Sequence, residues 1–225
     1  QRAAPRLWVG TSQGLFSRSL GGVATSPAWE SFADIPANSL LAMAVGPSGG
    51  LWLGGWDGCL RCLRSGCMEH LMPTLPAPVL ALSQGSKDGW WAVTLDGLYR
   101  GHSEGWSLVL PRSRLPLGCS LRTVAEDSAG RLWLGTSTGL RVYDLESERL
   151  LTTGSSFSLP VSALAYQAQG ETLWVGTPRG LFRLKLHGAE CQREASYSVR
   201  DSGLGADSVT ALALEETPGA TGLWI

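Results

Sequence analysis

A near-identical phrase returns along this chain of 225 residues: Leu7-Trp8-Val9-Gly10-Thr11, Leu51-Trp52-Leu53-Gly54-Gly55, Leu132-Trp133-Leu134-Gly135-Thr136 and Leu173-Trp174-Val175-Gly176-Thr177. A divergent copy is Trp90-Trp91-Ala92-Val93-Thr94, and a partial one is Leu223-Trp224-Ile225. In the five full copies a glycine follows the tryptophan by six positions, at Gly14, Gly58, Gly97, Gly139 and Gly180. The gaps between Trp8, Trp52, Trp91, Trp133, Trp174 and Trp224 are 44, 39, 42, 41 and 50 residues. Apolar runs are short, lack helical periodicity and are bounded by Gly, Pro, Ser or Asp. Strands repeating at this period predict an all-β fold, a β-propeller of four-stranded antiparallel blades.

The segment from Ser120 to Thr153 reads as one such blade. Leu121 to Glu126 is a first strand, A. Asp127-Ser128-Ala129-Gly130 is a turn of suitable residues. Arg131 to Gly135 is strand B, Leu140 to Asp144 strand C, and Glu148 to Thr152 a short outer strand D. Gly139 closes the B–C connection, where glycine takes φ > 0 without a Cβ penalty. Strand A recurs as Leu40 to Val45, Val79 to Ser83, Val161 to Tyr166 and Val209 to Leu214. A blade has neighbours on both faces, so strand B is apolar on both: Trp8 points one way, Leu7 and Val9 the other. Burying each indole removes ~150–250 Å² from water, roughly 4–6 kcal/mol gross. Stacking of blades on these rings is therefore the expected main source of stability.

Bulk properties exclude several classes. The net charge is −1, from 18 basic and 19 acidic residues with no block of one sign, which is unlike a nucleic-acid surface. The longest uncharged stretch, Ile35 to Trp56, contains Pro36, Pro47 and a cluster of glycines and serines. It reads as two strands and a turn, not a membrane-spanning helix. No charged start followed by an apolar run stands at Gln1, so no signal peptide is visible.

The run from Val124 through Asp127-Ser128-Ala129-Gly130-Arg131-Leu132-Trp133-Leu134-Gly135-Thr136 to Gly139-Leu140 closely resembles the two-component regulator propeller repeat. The resemblance is strong around Trp8, Trp133 and Trp174. It is weaker around Trp91, where Val93 replaces the glycine, and Trp52, where Gly55 replaces the threonine. It implies a β-propeller of the kind found in sensor regions of bacterial hybrid histidine kinases and in other extracellular or scaffold proteins. Members usually close with seven blades. Five repeat lengths fit between Trp8 and Trp224, and Leu223-Trp224-Ile225 duplicates Leu7-Trp8-Val9. Residues 1–225 are therefore expected to be a single propeller domain, or part of one, excerpted from a larger ring.

Candidate chemistry is sparse. Cys59, Cys62, Cys67 and His70 have zinc-like spacing. If Ser65-Gly66 is the C–D turn, however, Arg64 pairs with Cys67, Cys62 with Glu69 and Arg61 with His70. Cys62 and Cys67 then share one face and Cys59 and His70 the other, so no metal is expected. A diagonal Cys62–Cys67 disulfide is long for a bridge. His102 and His187 fall after strand C, remote from the propeller axis, and read as solvated residues. Glu215-Glu216 reads as a solvated strand end. No catalytic motif is present, and no catalytic residue or cofactor is expected.

The expected working surface is the face shared by the B–C turns and the D-to-A connections, where residues vary between repeats while the framework does not. It assigns Trp56, Asp57, Asp96 and Arg179 from the turns, and Asn38 and Asp207 from the connections, as candidate binding residues. Trp56 could stack on a sugar, anchor a peptide or pack on a neighbouring blade. The sequence thus reads as a non-catalytic interaction module, either a sensor region or a scaffold. Its partner would be a protein, or a carbohydrate or other small-molecule ligand, with no nucleic acid and no membrane insertion. A sensor would be periplasmic or extracellular, a scaffold cytoplasmic. The alternative is a propeller lyase or hydrolase acting on a polysaccharide or small molecule.

Overall fold

The computed structural model describes residues 6–20, 29–32, 35, 40–46, 49–64, 67–71, 74–86, 89–102, 105–151, 157–217 and 220–225. The chain divides into two compact units, residues 1–82 and 83–225. In the first, β1 (Arg6–Thr11), β2 (Gly14–Ser19) and β3 (Glu30–Phe32) form a three-stranded sheet, blade I. Blade II follows as β4 (Leu40–Val45), β5 (Leu51–Gly55), β6 (Leu60–Arg64) and β7 (Cys67–Leu71), in that spatial order.

The boundary between the units falls inside β8 (Val79–Gln84), the first strand of blade III, which continues with β9 (Trp90–Thr94), β10 (Gly97–His102) and β11 (Gly105–Pro111). Blade IV is β12 (Leu121–Glu126), β13 (Arg131–Thr136), β14 (Gly139–Asp144) and β15 (Arg149–Leu151). Blade V is β16 (Ala163–Gln167), β17 (Thr172–Thr177), β18 (Gly180–His187) and β19 (Glu190–Tyr197). A short helix α1 (Val199–Ser202) follows, then the hairpin β20 (Ala213–Thr217) and β21 (Ala220–Trp224) of blade VI.

Neighbouring strands in chain order pair antiparallel, so each sheet is a meander. In blade IV, Ala125 pairs with Trp133 and Trp133 with Val142. The equivalent pairs in blade V are Ala165 with Trp174 and Trp174 with Arg183. Strand A starts later than expected in two blades, at Ala163 and Ala213. The preceding residues instead bond to the turn of the blade before: Val161 N–H donates to Thr136 O and Val209 N–H to Thr177 O, both at 3.0 Å. Helix α1 was not legible in the apolar pattern, because none of its four residues is buried.

Blades IV and V stack on one apolar layer. Trp133, Leu140 and Val142 face Leu173, Val175, Phe182 and Leu184. In the first unit Trp8, Phe32 and Leu40 pack on a layer built around Leu15, Leu51 and Leu53. The indoles are not equally buried, as the uniform repeat had suggested. Trp91 and Trp133 are fully enclosed, Trp8, Trp52 and Trp174 are half-buried, and Trp224 is exposed. The indole N–H finds a polar partner in each of the last four repeats. Trp91 donates to Glu126 on the next blade, Trp133 to Asp127, Trp174 to Gln167 and Trp224 to Glu215.

The glycine two residues after the tryptophan is crowded by the residue at or just before the start of the next A strand, and Gly135 also by Thr123 of its own blade. A Cβ on Gly135 would lie 2.6 Å from Val161 Cγ1, and one on Gly176 would lie 2.7 Å from Val209 Cγ1. In the first unit Gly54 meets Val79 and Gly10 meets Leu40 in the same way.

Candidate binding surface

In blades I, III, IV and V the B–C turn is built by the threonine that ends the repeated phrase. Thr136 Oγ1 donates to Gly139 O at 2.7 Å and accepts from Thr138 N–H. Thr94 and Thr177 do the same across Asp96 and Arg179, and Thr11 does so in blade I. Gly139, at φ 130°, lets the incoming D-to-A segment cross the turn: its absent Cβ would meet Phe157 O, which also accepts Leu140 N–H. Within the second unit, turns and connections are therefore laced together. Ser137 and Ser120 exchange hydrogen bonds, and Ser162 Oγ reaches Gly176 O and Val209 O.

The candidate residues divide by how their polar groups are used. Asp96 and Arg179 are exposed at turn tips whose hydrogen bonds come from their own backbone N–H groups. Asp207 is exposed but accepts Val199 N–H at 2.8 Å, tying the connection to the start of α1. Asn38 lies outside the described residues. Among the described residues Trp56 is 61 % exposed.

Asp57 is employed within its own turn. Its Oδ1 accepts Cys59 N–H at 3.0 Å and its Oδ2 accepts Arg61 Nη2 at 2.7 Å. Burial opposes ionisation of Asp57, but the Arg61 and Cys59 hydrogen bonds outweigh it and hold its pKa below the ordinary carboxylate value. Gly55, standing where the other repeats have threonine, is what makes room: a Cβ there would collide with the Asp57 carboxylate. Loss of threonine and recruitment of Asp57 are one exchange of turn chemistry, and the signal for it was the Gly55 substitution itself.

The remaining candidates are placed as follows. The β6–β7 register pairs Arg61 with His70, Cys62 with Glu69 and Arg64 with Cys67, the pairing anticipated from sequence. Cys59, Cys62 and Cys67 are free thiols, so no Cys62–Cys67 bridge is formed. Among the described residues no cluster of His, Cys, Asp or Glu could hold a metal ion. His102 and His187 are the last residues of their C strands, at the opposite ends from the B–C turns. Glu215 and Glu216 lie within β20 rather than at a strand end. Among the described residues no helix is long and apolar enough to cross a membrane.

Residues 115–138 match the family model described as two component regulator propeller. No curated protein matches it in sequence. Among solved structures it is similar to the extracellular domain of BT4673 of B. thetaiotaomicron, a protein assigned to the one-component or hybrid two-component systems. That similarity has a TM-score of 0.68 and 18 % identity, over 94 % of this chain and 29 % of that one. It is also similar to the extracellular domain of BT3049 from the same organism, assigned to the hybrid two-component systems (TM-score 0.61, 17 % identity, 92 % and 30 % covered). A third similarity is to virginiamycin B lyase from Staphylococcus aureus (TM-score 0.62, 12 % identity, 92 % and 70 % covered). The chain spans less than a third of the two extracellular domains. The fold is the β-propeller, and the propeller repeat in this chain is a packing device whose exposed turns are left free to vary.

Proposed function

We propose that this chain is a non-catalytic recognition module, part of one propeller domain, of the kind that serves as the sensor region of a hybrid two-component regulator. One observation carries the reading. Residues shared by the repeats are used for packing and turn closure, while Trp56, Asp96 and Arg179 differ between repeats and stand exposed at the turns. A rigid scaffold with variable turns is the design of a binding surface. Trp56 is the principal contact, offering a flat apolar face to a sugar ring or a peptide side chain. In the second unit Asp96 and Arg179 supply hydrogen bonds and Asp207 braces the connection to α1; in the first, Asp57 braces the turn that carries Trp56, and Asn38 joins it by its place in the repeat. The partner is a protein, or a carbohydrate or other small molecule. A sensor of this kind would stand outside the cytoplasm.

The test is a set of Trp56→Ala, Asp96→Ala and Arg179→Ala variants screened against oligosaccharide and peptide panels by thermal shift and calorimetry. Unchanged melting with lost binding supports the reading; binding that survives all three removes it. The competing reading, a lyase or hydrolase acting on a polysaccharide or small molecule, draws on the similarity to virginiamycin B lyase. It needs an acid and a base within hydrogen-bond reach of one substrate, whereas Asp57 and Asp207 are engaged in loop closure. Turnover of any panel member by the wild-type chain would favour it.

A further inference from the structure

Within the second unit, three indole N–H groups are served from their own blade. Trp133 donates to Asp127, Trp174 to Gln167 and Trp224 to Glu215, acceptors that lie six, seven and nine residues before the ring. Blade III has glycine at this place. Gly85 stands six residues before Trp91, and its N–H donates to Gly89 O at 2.8 Å, as Asp127 N–H donates to Arg131 O at 2.9 Å. Trp91 is served from blade IV instead. Glu126 Oε2 accepts its indole N–H at 2.6 Å and also accepts Ser86 N–H at 3.0 Å.

Glycine is needed at position 85 for space, since its φ is not left-handed. A Cβ there would lie 2.7 Å from Trp91 Nε1 and 2.8 Å from Glu126 Oε2. The Glu126 carboxylate therefore fills the room that an acceptor side chain of blade III would need. The next junction is built otherwise. Tyr166 follows the alanine that pairs with Trp174, as Glu126 follows the alanine that pairs with Trp133. It too reaches back one blade, donating to Ser128 Oγ at 3.0 Å. That contact is exposed, and Trp133 keeps Asp127 of its own blade whether or not it forms.

We infer that Glu126 is a clamp that makes blade III conformationally dependent on blade IV, so that blade III opens when the clamp is lost while blade V stays closed. Parting blades IV and V breaks no indole hydrogen bond. Parting blades III and IV breaks two hydrogen bonds to one carboxylate, which are of the stronger, charge-assisted kind. Removing that carboxylate leaves an unpaired donor on a ring only 1 % exposed, which penalises the closed arrangement. Local opening of a protein follows such boundaries between cooperative segments. The clamp lies at the A–B turns, at the strand ends opposite the B–C turns, and so acts apart from the binding residues proposed above.

The test is native-state hydrogen exchange of the whole chain, read by mass spectrometry strand by strand. In Glu126→Ala, amides of β9 and β10 should exchange at least about tenfold faster, while those of β17 and β18 keep wild-type rates. Gly85→Asp in the wild-type background crowds a second carboxylate onto the same donors and should lower the melting midpoint. In Gly85→Asp/Glu126→Ala the new aspartate takes the Trp91 N–H as Asp127 takes that of Trp133, and exchange in β9 and β10 should return to within about threefold of wild type. Should Glu126→Ala alone fail to fold, recovery of folding in the double variant is the expected result. Tyr166→Phe removes only the exposed Ser128 contact and should leave every strand at wild-type rates. Wild-type exchange of β9 and β10 in Glu126→Ala, equal acceleration in blade V, no recovery in the double variant, or an equal effect of Tyr166→Phe would each overturn the proposal.

Discussion

Trp133→Ala is the most informative single perturbation, because the structure sets its size against an internal control. The Trp133 ring is fully enclosed between blades IV and V, among Leu140, Val142, Leu173 and Leu184. Removing an aromatic ring from such a site costs about 3–5 kcal/mol. The lost indole N–H adds little. Asp127, its acceptor, keeps the N–H groups of Ala129 and Arg131 and the Arg131 guanidinium at 2.8–3.0 Å, so no carboxylate is left unpartnered. Trp174 holds the same repeat position but is only half-buried, against Tyr197 and Arg183. Trp174→Ala should therefore cost roughly half as much, about 1–3 kcal/mol. Urea unfolding followed by far-ultraviolet circular dichroism is the assay, since ten tryptophans make fluorescence ambiguous. If Trp133→Ala stays within about 1 kcal/mol of wild type, or Trp174→Ala costs as much as Trp133→Ala, blade stacking on enclosed indoles is not the main stabilising interaction.

Gly135→Ala should destabilise by about 1–3 kcal/mol through overpacking on Thr123 and Val161, and Val161→Ala in the same chain should recover part of that loss in a double-mutant cycle. Gly139→Ala should cost more than about 1 kcal/mol by thermal melting, since its φ is left-handed and its Cβ would meet Phe157 O. Thr136→Val removes the hydroxyl that closes the B–C turn and should cost about 1–2 kcal/mol; a neutral result would mean that the turn is held by other contacts. Asp57 has a folded-state pKa below its unfolded value, so its contribution is present above the unfolded pKa and fades as pH falls through the folded one. The stability difference between wild type and Asp57→Asn, measured by urea unfolding at stepped pH, should be constant near neutrality and shrink in strong acid.

The fold could be read from the chain because its determinants recur. The tryptophan, the glycine two residues on, the threonine and the glycine at the sixth position each answer a contact that every blade must make, so each copy corroborates the others. Binding has no such redundancy. Trp56 has no counterpart in the other turns, and its exposure could not be told from packing until the neighbouring elements were placed. Asp57 shows the converse: one turn lacks its threonine and an acidic residue stands nearby, which in sequence looks like a ligand contact and in space is a replacement brace. In a repeat protein, then, the positions that break the pattern must be sorted by whether a neighbour in space uses the change. Gly55 and Asp57 are used by each other, whereas among the described residues Trp56 stays 61 % exposed, and that is the physical reason to look for a partner there.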